Sequence, residues 1–450
     1  MIKKTLRWAL ACLAPGLPLL ATASEPAPLQ HFTLDNGLQV ILREDRRAPL
    51  VESQLWYHVG SSYEYPGQSG LSHALEHLMF EGSSKIGPGQ IAKIFGRIGA
   101  TENAFTTHDA TVFHQTLPSD RLAIALEAAA DAMETARLGA TEYAREIEVV
   151  KAERRRRVDN APIMLAQERV QAHAYAQSSY RTPTIGWAND LEQMRVEELR
   201  QWYRDWYVPN NATLVVVGDV NLETLKPLVE RYFGAIARRD TPVKKVPREQ
   251  GSVGERRLDL RLPQLEPGLI LAFNVPSAAT AEAPHLPLAL RLIPQILTEG
   301  FSSRMNAQLI RHEKMLSYVQ SSYEPYRRGD TLLTLDAFPN PATQPALADV
   351  EMRIWEMLEA LKSTPPTAAE LARAKARLIA SQVYVRDELG AQADAIGEFV
   401  GSGLPLTYLN DEIQALQAVT AEDVQHAAQS LLTRERLTIA HLQAKEADHE

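Results

Sequence analysis

A chain of 450 residues, 45% hydrophobic and 23% charged, is too long for one ordinary core and is balanced like a soluble globular protein, not a disordered or membrane-embedded one. Its net charge of −9 argues against a phosphate backbone as the main partner. Cys12 is the only cysteine and falls in the leader described next, so the mature chain is expected to offer no disulfide, thiol nucleophile or cysteine metal site.

Residues 1–23 read as a signal peptide: Lys3, Lys4 and Arg7 precede an apolar run from Trp8 to Leu20, and Ala21, Thr22 and Ala23 supply small residues for cleavage after Ala23. Pro15, Gly16 and Pro18 interrupt the run, which is short of the roughly 20 residues of a spanning helix. A lipid-modified Cys12 is the competing reading, and it leaves almost no apolar run ahead of it. Export without thiols fits an oxidising compartment such as a bacterial periplasm.

From Phe32 to Val59 the pattern is strand-like, with Phe32, Thr33 and Leu34, a turn at Asp35-Asn36-Gly37, then residues 38–42 and 55–59. Helices are expected over 69–80, over 120–136, and from Thr141 as N-cap to Arg157. A helix at 196–206, a strand at 212–217 and a helix at 222–233 close the first half. Residues 237–256 are polar and aperiodic, with Pro242, Pro247, Gly251 and Gly254, and form the best linker.

Beyond it the order recurs, with a strand at 269–273, helices at 286–297 and 306–313, and a strand at 331–335. The ending recurs as well: residues 419–424 followed by 437–440 echo 195–199 followed by 213–216. The sequence therefore reads as two related α+β halves, 24–236 and 257–450.

The sharpest local signal is His73-Ala74-Leu75-Glu76-His77. On a helix, positions i and i+4 share a face, so both imidazoles reach one ion while Glu76 beside them reaches a metal-bound water. Catalytic zinc needs that set: three protein ligands, an open position and a carboxylate base. His-x-x-Glu-His is the inverted form of the commoner zinc-peptidase motif, yet so short a pattern also arises by chance on an amphipathic helix.

A third ligand decides between these readings. Glu146 and Glu153 lie on or beside the apolar stripe of Tyr143, Ile147 and Val150, two turns apart, and a carboxylate on a packing face must be paired or metal-bound. Glu153 is the expected third ligand, and Glu146 is expected to orient a histidine. The competing reading of Glu153 is an ion pair with the basic run Arg154 to Arg157, itself read as a solvated or ion-paired helix face. His108 and His114 lack an i,i+4 partner and are assigned to strand packing or hydrogen bonding.

With these residues the chain resembles the pitrilysin, insulinase and mitochondrial processing peptidase family of zinc peptidases over nearly the whole mature length. The likeness rests on Asn36-Gly37-Leu38, Gly60-Ser61, His73-x-x-Glu76-His77, Asn103-Ala104-Phe105-Thr106 and Glu146 with Glu153. It continues through Tyr180 to Trp187, Tyr207 to Asn211, Ser302-Ser303-Arg304 and Arg311 to Tyr318. The resemblance implies two halves of one α+β fold, each a mainly antiparallel sheet packed with helices, enclosing a substrate chamber.

It also implies one zinc ion per chain, endopeptidase activity on peptides or unfolded segments, and Arg311 and Tyr318 reaching across to steady the substrate oxyanion. Asn103, Ala104, Phe105 and Thr106 become an edge strand that pairs with an extended peptide. By residue type alone, Arg311 reads as a surface helix residue and Tyr318 as a core aromatic. Relatives work as homodimers or as heterodimers with a homologous chain, some of them taking the arginine and tyrosine from the sister chain. This chain carries both sets, so it is expected to need no partner for its catalytic groups and to cut peptides unaided as a homodimer. Two departures, Glu299 before Gly300 and Met315 in place of glycine, fall in the second half. The rival expectation is a non-hydrolytic chamber subunit, which should have lost at least one of His73, Glu76, His77 and Glu153.

Overall fold

Gly37 sits at φ 93°, a conformation costly for other residues, and lets the chain turn back after the first strand. Asn36 then donates to the carbonyls of Phe233 and Ile236 at 2.8 and 2.9 Å, tying this turn to the end of the first half. The computed structural model describes residues 27–249 and 254–445, so the expected leader, with Cys12 and Ala23, lies outside the described residues.

The first half contains strands β1 (Gln30–Thr33), β2 (Gln39–Glu44), β3 (Leu50–Tyr57), β4 (Thr101–Thr106), β5 (Thr111–Pro118) and β6 (Ala212–Gly218). Its helices are α1 (Leu71–Met79), α2 (Ile91–Arg97), α3 (Leu122–Thr135), α4 (Ala140–Arg154), α5 (Pro162–Ala174), α6 (Ala188–Gln193), α7 (Val196–Trp206) and α8 (Leu222–Phe233). The second half contains β7 (Arg256–Leu262), β8 (Gly268–Val275), β9 (Leu316–Tyr323), β10 (Thr331–Pro339) and β11 (Leu437–Ala444). Its helices are α9 (Leu286–Leu297), α10 (Leu347–Ser363), α11 (Ala368–Val385), α12 (Leu389–Gly401), α13 (Leu406–Ala418) and α14 (Ala421–Leu431).

The repeat read from the sequence is a repeat of topology. The first sheet runs β1-β2-β6-β3-β5-β4 and the second β7-β11-β8-β10-β9. Each has one parallel pair, β2 with β6 and β7 with β11, and is otherwise antiparallel. The halves also exchange helices: α5 packs on β7, β8 and β11, while α12 packs on β3 and β6. Ile41, Trp56, Val215 and Val217 thus form a small core with Ala393 and Ile396, and Ala166, Val170 and Ala174 form another with Ile270, Ala272 and Ala440. This is why β6 and β8 read as unbroken apolar runs and not as alternating strands.

Several boundaries differ from the sequence reading. Gly139, not Thr141, is the N-cap of α4, and no side chain caps it. The helix expected to reach Arg157 ends at Arg154 and widens into a π turn, Arg155–Asp159; the segment expected at 306–313 is also a π turn, Asn306–His312. The strand expected from Leu55 begins at Leu50, hidden by Glu52, Ser53 and Gln54, which are polar yet at most 2% exposed.

Candidate metal centre and active site

Helix α1 starts at Gly70, held at φ 87°, with no cap from its own first turn. Glu64 supplies one from outside, its carboxylate accepting from the amides of Gly70 and Ser72 at 2.7 and 2.8 Å. Burial pushes the Glu64 carboxyl up to about 8, against the pull of those amides. Gly186 closes the same end from the other side, since a Cβ there would stand 2.7 Å from the Gly70 Cα. Leu71, Ala74, Leu75 and Leu78 face the core, which leaves His73 and His77 on the face toward α4.

On α4, Ile147 and Val150 go into the same core, and Glu146 and Glu153 come up beside α1. Glu153 Oε2 lies 3.7 Å from His73 Nε2 and 3.3 Å from His77 Nε2, and one donor atom from each of the three residues falls within 4.8 Å of the others. Tetrahedral zinc with bonds of about 2.1 Å separates its ligand atoms by about 3.4 Å, so donor types and spacing both fit that ion. Among the described residues this is the one such group. Burial, and then the neighbouring His77, hold His73 down at about 3, so it is neutral, as a ligand must be.

Glu146 Oε2 lies 3.6 Å from His77 Nδ1, whereas His73 Nδ1 is buried with no hydrogen-bond partner. Glu76 is 7% exposed, accepts a hydrogen bond from the Thr106 hydroxyl and is pushed by burial up to about 7. A carboxylate so placed can take a proton near neutral pH.

A cavity of about 830 Å³ opens over these residues, lined by His73, Glu76 and His77, by Asn103, Ala104, Phe105 and Thr106 of β4, and by the outer face of α4. Strand β4 is the free edge of its sheet. Every lining residue belongs to the first half.

The structure does not bring Arg311 and Tyr318 to this cavity. Arg311 stacks 3.6 Å above the Phe301 ring and donates to the Phe301 carbonyl, and Tyr318, 45% exposed on edge strand β9, donates to Gln320. That exposure also excludes the core-aromatic reading of Tyr318. His108 pairs with Gln171 at 3.0 Å and His114 with Glu52 at 3.4 Å.

Sequence reasoning missed Glu64, the hydroxyl of Thr106 and the division of the arginine run. Arg154 turns inward, bonding Glu168 through two contacts of 2.8 and 2.9 Å and the Gly186 carbonyl at 2.7 Å. Arg157 meets Glu153 Oε1 at 2.6 Å, the ion pair offered as the competing reading, while Glu153 Oε2 stays turned to the two histidines.

Fold and site together define a class: a chain of two related α/β halves with a candidate three-donor metal centre in the first. The chain belongs to the insulinase family, peptidase family M16: the profile described as Insulinase (Peptidase family M16) matches residues 39–187, and that described as Peptidase M16 inactive domain matches 193–378. It is 29% identical over 356 residues to the zinc protease PqqE of Helicobacter pylori, covering 77% of each chain. A crystal structure of a protease from Helicobacter pylori superposes with a TM-score of 0.86 at 26% identity, covering 93% of this chain and 100% of that one. The first half of the periplasmic protease PqqL from Escherichia coli shares the fold, with a TM-score of 0.77 at 20% identity over 92% of this chain and 91% of that one. Among the described residues no helix is long and apolar enough to cross a membrane.

Proposed function

We propose that the chain is a zinc-dependent endopeptidase that cuts peptides or unfolded polypeptide segments, with His73, His77 and Glu153 as ligands of one zinc per chain and Glu76 as general base. The observation that carries this reading is the meeting of three donors at zinc spacing, 3.3 and 3.7 Å, beside a buried carboxylate. Bound zinc supplies polarisation of the scissile carbonyl and a more acidic water. The chain's residues do the rest: β4 offers unpaired backbone groups to an extended peptide, and Glu76 takes the proton of the attacking water and returns it to the leaving amine. Glu146 steadies His77 through Nδ1.

Because Arg311 and Tyr318 stand away from the cavity of their own chain, a second chain brings them to it, as a homodimer or as a heterodimer with a homologous chain. The first half of PqqL, which this chain matches along its length, is half of a longer protease, and this supports such pairing. The periplasm is the proposed location, from the leader at 1–23. The inactive-domain match over 193–378 favours a second reading, a non-hydrolytic subunit, though that domain lies apart from the metal ligands. Zinc-loaded protein incubated with a diverse peptide mixture and read by mass spectrometry separates the two: new internal cleavages support the peptidase, and none in either homomeric or paired protein overturns it.

A further inference from the structure

The densest basic run of the sequence, Arg154 to Arg157, does not behave as one solvated face. Arg154 is consumed by Glu168 and the Gly186 carbonyl. The π turn that follows is a feature that recurs at functional sites, and it leaves Arg156 and Arg157 on the wall of the metal cavity. They continue the stripe of Val149, Ala152 and Glu153, spaced three and four apart along α4. Arg157 meets Glu153 with one nitrogen while its side chain stays 65% exposed. Arg156 is exposed on the same wall, and its side chain has no hydrogen bond or ion pair among the described residues.

The carboxylates of that wall are all engaged. Glu76 accepts from Thr106, Glu81 pairs with Arg145, Glu146 pairs with Arg145 and approaches His77, and Glu153 faces both imidazoles and Arg157. What remains for an incoming molecule is cationic. A peptide added to the free edge of β4 turns alternate side chains to the metal side of the sheet, within a cavity of about 830 Å³ that holds this wall as well.

We infer that Arg156 and Arg157 form an anion subsite of the metal cavity, which takes a carboxylate of the peptide lying along β4. This rests on the peptidase reading for its ligand, a peptide, and deepens it by naming the charge selected. Guanidinium groups match a carboxylate with two parallel hydrogen bonds, a geometry that lysine cannot offer. The carboxylate comes from an acidic side chain or from a free C-terminus.

The test uses zinc-loaded E76Q protein, paired as in solution, and fluorescent peptides in which one position is scanned as Glu, Gln or Lys with the C-terminus amidated. A neutral peptide with a free C-terminus is the second arm. At its best position the Glu peptide should bind about fivefold to tenfold more tightly than its Gln counterpart, with the gap closing as salt is raised. R156E should invert the order in favour of Lys, and R156Q, which adds no charge, should level it. If only the free C-terminus discriminates, the carboxylate is the terminal one.

Equal binding of all peptides overturns the subsite, as does a Glu preference that survives in R156E and R157E. Cleavage by wild-type protein is read separately. Charge-blind cutting leaves the peptidase standing and removes the subsite; discrimination by E76Q with no cutting by wild type does the reverse.

Discussion

Helices α1 and α9 stand at the same point of the repeat, each the first helix after the strand that follows the parallel pair in its sheet, β3 or β8. Both bury an apolar face, but α1 turns His73, Glu76 and His77 away from the core, while α9, from Leu286 to Leu297, has no histidine and no carboxylate. Their neighbours differ in the same way. Helix α4 brings up Glu146 and Glu153, whereas the carboxylate at the start of α11, Glu370, is tied to Arg304 at 2.8 and 3.1 Å. Among the described residues the second copy of the frame holds no such group of donors, so the frame itself does not require the buried acidic and imidazole groups of the first. Carboxylates beside a core cost free energy unless paired, and here Glu146 and Glu153 have an arginine each besides the histidines they face, and Glu76 has Thr106.

The comparison breaks most sharply if the first half's groups prove structural. E76Q should keep its zinc and lose about 10²-fold or more in kcat, while H77A should lose the metal. Elemental analysis beside a peptide assay reads both. Full zinc occupancy in H77A would remove the ligand set, and full activity in E76Q would remove the base.

The second half's role is sharpened by mixing. Y318F alone should lower kcat by about 10²-fold with zinc content unchanged, the scale of one lost oxyanion donor. If Tyr318 serves the other chain, equal parts of E76Q and Y318F protein should recover roughly a quarter of wild-type activity, since half of randomly paired dimers carry one complete site. No recovery in a mixture shown to exchange chains would return Tyr318 to the site of its own chain.

Much of this was legible in the sequence, and the unread remainder has a common cause. The metal motif, the helices at 196–206, 222–233 and 286–297 and the repeat announce themselves because each is local or periodic. Helix α12 was unread: its pattern, with Gly397, Ala393 and Ile396 inward, is meaningful only against Trp56 and Val215 of a core built from the other half. Glu64 was invisible for the same reason, since its role is to cap a helix six residues on through a loop. Arg311 and Tyr318 were legible as residues but not as places, because family likeness fixes a role without saying which chain fulfils it.

The exchanged helices give the next test. A Cβ on Gly397 would stand 1.9 Å from a ring carbon of Trp56, which is itself 2% exposed and has no room to yield. G397V should destabilise the protein by roughly 1–3 kcal/mol through overpacking, read as a lowered Tm. An unchanged Tm would mean that α12 does not dock on the first sheet.

The smallest effect concerns how each half anchors an arginine. In the first, Arg154 is 5% exposed and locked to Glu168 and a carbonyl. In the second, the hydrogen bonds from Arg304 hold the Glu370 carboxyl down at about 2, below its ordinary 4.5. A carboxyl depressed by folding adds stability that is fully present above the unfolded value and is lost as pH falls through the folded one. Stability should therefore drop between about pH 4.5 and pH 2 by a few tenths to about 1 kcal/mol on this account, the modest scale of a part-exposed pair. R304Q should flatten that segment of the stability profile measured by urea unfolding and leave zinc content unchanged. If the wild-type and R304Q curves run parallel through the window, the pair contributes nothing, and the second half's anchor is packing alone.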